Sequence, residues 1–190
     1  MYFYAYIEAK TIPQDQWQFL MPFFEAYIDI VSVDKKDKTL CINYQSQTPL
    51  DLKDMLYHII SETYQDIRLY QSHHFDDLNS LQSHQTYMTS IMSLIPFNLA
   101  SYLDDKICLK YLLQQNIVVE KKHFLRKYAS NSEILLTVKT FLEHNQNINQ
   151  TAAELYIHRN TLLQRLDKFH HMTGFDLKKF QDAFIMYQII

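Results

Sequence analysis

Residues 158–171, HRNTLLQRLDKFHH, concentrate the side chains whose types and spacing carry chemistry. Arg159, Asn160, Thr161, Gln164 and Arg165, with Lys168 beside them, fall on the outward side of a predicted helix that His158 precedes. Arginine and lysine donate to phosphates and guanine edges, asparagine and glutamine pair bidentately with adenine, and threonine serves either. Displaying these groups requires an apolar back to the helix, and Leu162, Leu166 and Phe169 provide it at i, i+4 and i+7. Either His158 or Asn160 is placed to cap the first N–H groups, which have no partner within the helix.

Positioning such a helix takes at least two more. Ala152 and Ala153 are small enough to let a second helix cross closely at a steep angle, with Leu155 one turn further along the same face. Ile157 reads as a buried plug in the turn between them. Upstream, Ile134, Leu135, Val138, Phe141 and Leu142 form a supporting helix closed by the polar turn HNQN, 144–147. The expected unit has three helices.

Other chemistries are excluded by what is missing. Gly174 is the only glycine among 190 residues. A phosphate-cradling loop, a GxGxxG fingerprint and a GxSxG nucleophile elbow all need more than one, so no enzyme and no nucleotide cofactor is expected. Of the nine histidines, the adjacent pairs do not suit a chelate: His73 and His74 are read as strand neighbours on opposite faces, and His170 and His171 are a helical step apart. No metal is expected. Cys41 and Cys108, outside any CxxC, read as reduced, buried thiols. No apolar run approaches the roughly 20 residues of a membrane span, and the N-terminus lacks a basic leader, so the expected setting is cytoplasmic.

Before residue 76 the pattern differs. MYFYAYIEA alternates as a strand; QDQWQFLMPFFEAYID is helical behind Pro13 and interrupted by Pro22. Two β-like runs follow around Asp34 to Asp37 as a hairpin, then a helix opened by Thr48 and Pro49, then the strand DIRLYQ. Strand, helix, hairpin, helix, strand implies a small α/β sandwich, with helices on one face of a mainly antiparallel sheet. Beyond it lie candidate helices at 77–92, 101–115, 119–128 and 132–144. The fold class is α+β: an α/β domain over 1–75, a helical connector over 76–130 and a helix-turn-helix domain over 131–190.

TAAELYIHRNTLLQRLDKFHHMTGFDL, 151–177, resembles the C-terminal helix-turn-helix of the PucR/CdaR family of bacterial transcription regulators, itself similar to the Fis type. The likeness rests on the Thr-Ala-Ala start, the Leu-x-Ile-His-Arg-Asn-Thr-Leu junction, the Arg-Leu pair at 165–166 and the Thr-Gly-x-Asp-Leu tail. It implies a recognition helix over 159–171 in the major groove, with Arg159, Asn160, Thr161 and Arg165 touching DNA. Leu163 stands where relatives often carry a basic residue and Gln164 where they carry an aromatic; Tyr156 replaces the glycine of simpler turns. The resemblance also implies that the N-terminal domain is a shrunken, degenerate cyclase-like domain, without cyclase activity.

Charge is the strongest argument against a nucleic-acid partner, and its local distribution softens it. The net charge is −3, and residues 133–190 hold six basic and six acidic residues. Locally, 158–171 sets Arg159, Arg165 and Lys168 against Asp167, and EKKHFLRK, 120–127, sets four basic residues against Glu120. The reading is a DNA-binding regulator acting on double-stranded DNA as a homodimer. Its alternatives are an adaptor that uses the helix-turn-helix to bind protein, and a small-molecule sensor built on the Tyr-rich N-terminal domain.

Overall fold

The computed structural model describes residues 1–10, 17–36 and 38–190; the expectations resting on Pro13 and Asp37 lie outside the described residues. The chain forms two compact units, Met1–Asp105 and Lys106–Ile190, where the sequence reading divides it at 75 and 130. Among the described residues no helix is long and apolar enough to cross a membrane.

The first unit is a five-stranded sheet: β1 (Tyr2–Ala9), β2 (Asp29–Lys36), β3 (Thr39–Gln45), β4 (Ile67–Gln71) and β5 (Tyr102–Leu103). Their order across the sheet is β2-β3-β1-β4-β5. β1 pairs antiparallel with β3 (Ala5 opposite Ile42) and β4 (Ile7 opposite Leu69), so the period-2 pattern of β1 sends Phe3, Ala5, Ile7 and Ala9 to one face. α1 (Trp17–Glu25) and α2 (Lys53–Thr63) cover that face with Trp17, Leu20, Phe24, Met55, Leu56 and Ile59. α1 runs through Pro22. The hairpin pairs through Lys36 opposite Thr39, so Asp34–Lys36 lie in β2 itself. α2 starts at Lys53, beyond Thr48 and Pro49; Asp51 accepts the Lys53 N–H at 2.9 Å.

Helices cover both faces of the sheet, a correction to the one-faced sandwich. α3 (Leu78–Met92) packs on the second face. The reason lies in the tyrosines. Tyr4 and Tyr70 point there, fully buried, and a buried phenol needs a polar partner as well as packing. Tyr4 Oη lies 2.9 Å from His84 Nδ1 on α3, and Tyr70 donates to Asp105 Oδ1 at 2.5 Å. Arg68, also buried, pairs with Glu8 at 2.6 Å and donates to the carbonyls of Met92, Ile95 and Pro96, closing the C-terminal end of α3.

Three further expectations change. Tyr102–Leu103 form β5, parallel to β4, so the helix expected from 101 is α4 (Asp105–Gln114). The helix expected over 119–128 is a single turn, α5 (Lys122–Leu125), passing at Arg126 (φ 55°) into a 3-10 turn, Arg126–Ser130. β4 ends at Gln71, so His73 and His74 lie beyond the strand, and their rings sit 4.6 Å apart rather than on opposite faces.

The second unit continues with α6 (Ser132–Glu143), α7 (Ile148–Glu154), α8 (Arg159–Thr173) and α9 (Phe180–Ile189). Its core joins Val138 and Phe141 of α6 to Leu162, Leu166 and Phe169 of α8 and to Phe175, Leu177 and Met186. Phe169 also stacks on Tyr128 of the 3-10 turn, with ring centroids 5.7 Å apart.

Candidate nucleic-acid interface

α6, α7 and α8 form the expected three-helix unit, and its turns are built without glycine. α6 is capped by Asn131, whose side chain accepts the Ile134 N–H at 3.0 Å. It ends with Asn145 and Gln146 at φ 52° and 62°; the Gln146 N–H reaches the Phe141 carbonyl and the Asn145 N–H that of Leu142. That is a Schellman closure with asparagine at the left-handed position. Asn147 then caps α7, its Oδ1 accepting from the N–H groups of Asn149 and Gln150, both at 3.1 Å.

α7 closes in the same way, with a more demanding residue. Tyr156 sits at φ 52° and donates to the Ala153 carbonyl, while Ile157 donates to Ala152. A tyrosine in this conformation carries a Cβ clash that glycine avoids, and its side chain, 97% exposed, recovers nothing by burial. Ile157 is half-buried rather than a buried plug. Of the two alanines only Ala152 is buried, next to the fully buried Thr151; Ala153 faces solvent.

His158 is the cap of α8: its Nδ1 accepts the Asn160 N–H at 3.2 Å, settling the choice between the two candidates. The helix extends two residues past 171, to Thr173, and Gly174 (φ 81°) ends it by donating to the His170 carbonyl at 2.8 Å. Leu162, Leu166 and Phe169 are buried as expected. His158, Arg159, Asn160, Thr161, Gln164 and Lys168 are all exposed. Asn160, Gln164 and Lys168 recur every fourth residue, one row along the helix, with Thr161 beside it. His171 continues this row, and its spacing was there to be read.

Arg165 stands apart from that row. Its guanidinium turns to α6, donating to Thr137 Oγ1 at 3.0 Å and pairing with the Glu133 carboxylate. Thr137 is buried and itself donates to the Glu133 carbonyl. Arg165 therefore fastens α8 to α6. Asp167, the acidic residue within the basic segment, is paired with Lys178 at 2.8 Å, and this hydrogen bond raises the Lys178 ammonium above its ordinary pKa. Among the described residues Arg159 and Lys168 form no ion pair. They are the cations of α8 that remain to meet an anion.

Residues 134–187 match the PucR C-terminal helix-turn-helix domain. Several curated proteins are similar to parts of this chain. The chain is 35% identical over 63 residues to the carbohydrate diacid regulator of Escherichia coli, covering 33% of this chain and 16% of that protein. It is 38% identical over 52 residues to the purine catabolism regulatory protein of Bacillus subtilis, covering 27% and 10%. A longer match, 24% identical over 173 residues, is to the uncharacterized Bacillus subtilis protein YxkF, covering 81% of this chain. The chain spans about half the length of YxkF (55%) and a small part of the other two. What the PucR-type domain brings together on α8 is the exposed row; Arg165 lies at its edge, held by α6.

Proposed function

We propose that this chain is a DNA-binding transcription regulator that reads the major groove with α8. The observation that carries the reading is the exposed row of Asn160, Gln164 and Lys168, flanked by Arg159 and Thr161, on a helix whose opposite side is sealed into a three-helix core. Amide side chains on the crest suit bidentate contact with adenine, and the two free-standing cations suit phosphates or guanine. The match of residues 134–187 to the PucR-type domain, and two relatives named as regulators, support it. His158 lies at the approaching end of the helix, within reach of the backbone. Two copies acting on a two-fold-related site give the modest basic face enough affinity, and the protein works in the cytoplasm.

Binding to promoter fragments from the source genome, measured against salt, tests the reading. Two phosphate-neutralising cations per copy predict that log K falls with log salt at a slope of about −2 per bound copy, or about −4 for a pair. A slope near zero, or no selection of any fragment over random DNA, refutes it. A tight protein partner found in that case would favour the adaptor.

A further inference from the structure

α9 is apolar on two sides. One side, Ala183, Ile185, Met186 and Ile189, is buried in the unit. Asp182, the only charged residue of the helix, is buried with them, taking Lys106 Nζ at 2.6 Å and the Asp176 N–H at 2.8 Å. The other side holds Phe180, Phe184 and Tyr187 at i, i+4 and i+7, which are 75, 57 and 57% exposed. Phe180 and Phe184 stack on each other with centroids 6.2 Å apart. Gln181 and Gln188 complete the outward surface. A helix on the surface of a monomer normally turns charged and polar residues outward; one that is apolar all round is covered.

Area and charge together indicate the cover. At about 200 Å² per ring, the three aromatics leave roughly 400 Å² in solvent, the size of patch that usually has a use. Two such patches amount to about 800 Å², close to the roughly 900 Å² of apolar surface in a standard interface. Charge argues for self-pairing. A two-fold contact lays a patch against its own copy, so any net charge in it meets its like. The outward sides of α6 and α8 carry Glu133, Lys139, Glu143, Arg159 and Lys168, whereas that of α9 carries no charge.

We propose that the Phe180–Phe184–Tyr187 face joins two copies of this chain about a two-fold axis. Resting on the DNA-binding reading, the same axis then relates two α8 helices and sets half-sites of inverted sequence. The experiment is sedimentation equilibrium of the full chain as wild type, as Phe184→Lys, as Phe184→Glu, and as an equal mixture of these variants. The wild type is expected to be a dimer at micromolar concentration. Each variant alone should be monomeric, with dimerisation weakened at least tenfold, and the mixture should recover the dimer because opposite charges then meet. Circular dichroism checks that the variants fold; if one does not, Phe180→Ser and Tyr187→Ser, each at a ring at least as exposed as Phe184, serve in its place and should likewise be monomeric. A monomeric wild type, variants that stay dimeric, or a mixture that stays monomeric overturns the proposal. DNA binding by a monomeric wild type would leave the DNA-binding reading standing and remove only the interface. A dimer with no affinity for DNA would do the reverse.

Discussion

Arg165 and Arg159 lie six residues apart on α8 and are expected to fail differently when truncated. Arg165→Ala removes a charge-assisted hydrogen bond to the buried Thr137 and an ion pair to Glu133. Bonds to charged groups contribute roughly 1.5–3 kcal/mol when protected. Because the Glu133 side chain is 68% exposed, its share falls to that of a surface pair, roughly 0–1 kcal/mol. The Arg165 side chain is itself 22% exposed, so the Thr137 bond is only partly protected. The total to expect is about 1–2 kcal/mol, most of it from the Thr137 contact, whose oxygen keeps its bond to the Glu133 carbonyl and so is not orphaned. Native-state hydrogen exchange on the full chain reads this as about a 5- to 30-fold loss of amide protection across α6 and α8. Arg159 makes no such contact among the described residues, so Arg159→Ala should leave protection unchanged. Its loss should instead weaken DNA binding by about 1–3 kcal/mol, and flatten the salt slope by about one unit if the partner is a phosphate. The decisive outcome is Arg165→Ala with full protection and abolished DNA binding. That would make Arg165 a direct DNA contact, and the α6 fastening argued from its geometry would be wrong.

Four further outcomes follow from the same structure. Asn147→Ala should cost about 1 kcal/mol in chemical denaturation, since its Oδ1 takes two N–H groups at the start of α7. Tyr156→Gly should leave stability unchanged or raise it by up to about 1 kcal/mol, because relief of the left-handed strain offsets the entropy of glycine, whereas the β-branched Tyr156→Val should lower it. The Cys41 thiol is pushed up to about 12, chiefly by burial, so it should resist alkylation at pH 8 until the chain is denatured. His123 is held below its ordinary value by burial first and then by Lys122 and Arg126, against the opposing pull of Glu120. The unfolded chain therefore takes up that proton first on acidification. Its contribution is complete above the ordinary histidine value and declines as pH falls through it, so His123→Gln should flatten stability between pH 7 and 5, as followed by urea midpoints.

What was legible in the sequence was what neighbours along the chain encode. β1 declares its two faces by alternation, and α8 declares its buried side by Leu162, Leu166 and Phe169, so strand, helix and exposed row could all be read from spacing of two to four residues. What was not legible depends on distant partners. Tyr102–Leu103 form a strand only because β4 offers an edge more than 30 residues earlier. The sheet's second face reads as aromatic β-former whatever covers it, and nothing local in α3 marks His84 as the partner of Tyr4, 80 residues away. Arg165 satisfies every local rule for a DNA contact, and nothing near it in sequence announces its bonds to Thr137 and Glu133, 28 and 32 residues upstream.

The glycine count carries a further consequence. With one glycine, left-handed helix ends must fall to other residues, and among the described residues Tyr64, Asn116, Arg126, Asn145, Gln146 and Tyr156 take positive φ. Asparagine tolerates that conformation well, but tyrosine, glutamine and arginine pay about 1 kcal/mol or more each. Two of the costlier positions, Gln146 and Tyr156, flank α7. Gln146 recovers part of the cost through its side-chain amide, which donates to the Leu177 carbonyl at 2.6 Å and ties the α6–α7 turn to the segment before α9. Among the described residues Tyr156 has no comparable tether, and its side chain points into solvent two residues before the α8 cap, His158. The α7–α8 turn is thus held by its backbone bonds and by the core beneath α8, which makes the orientation of the exposed row depend on Leu162, Leu166 and Phe169 rather than on the turn itself. Truncating Leu166 to alanine should accordingly loosen α8 more than any change at 156 does.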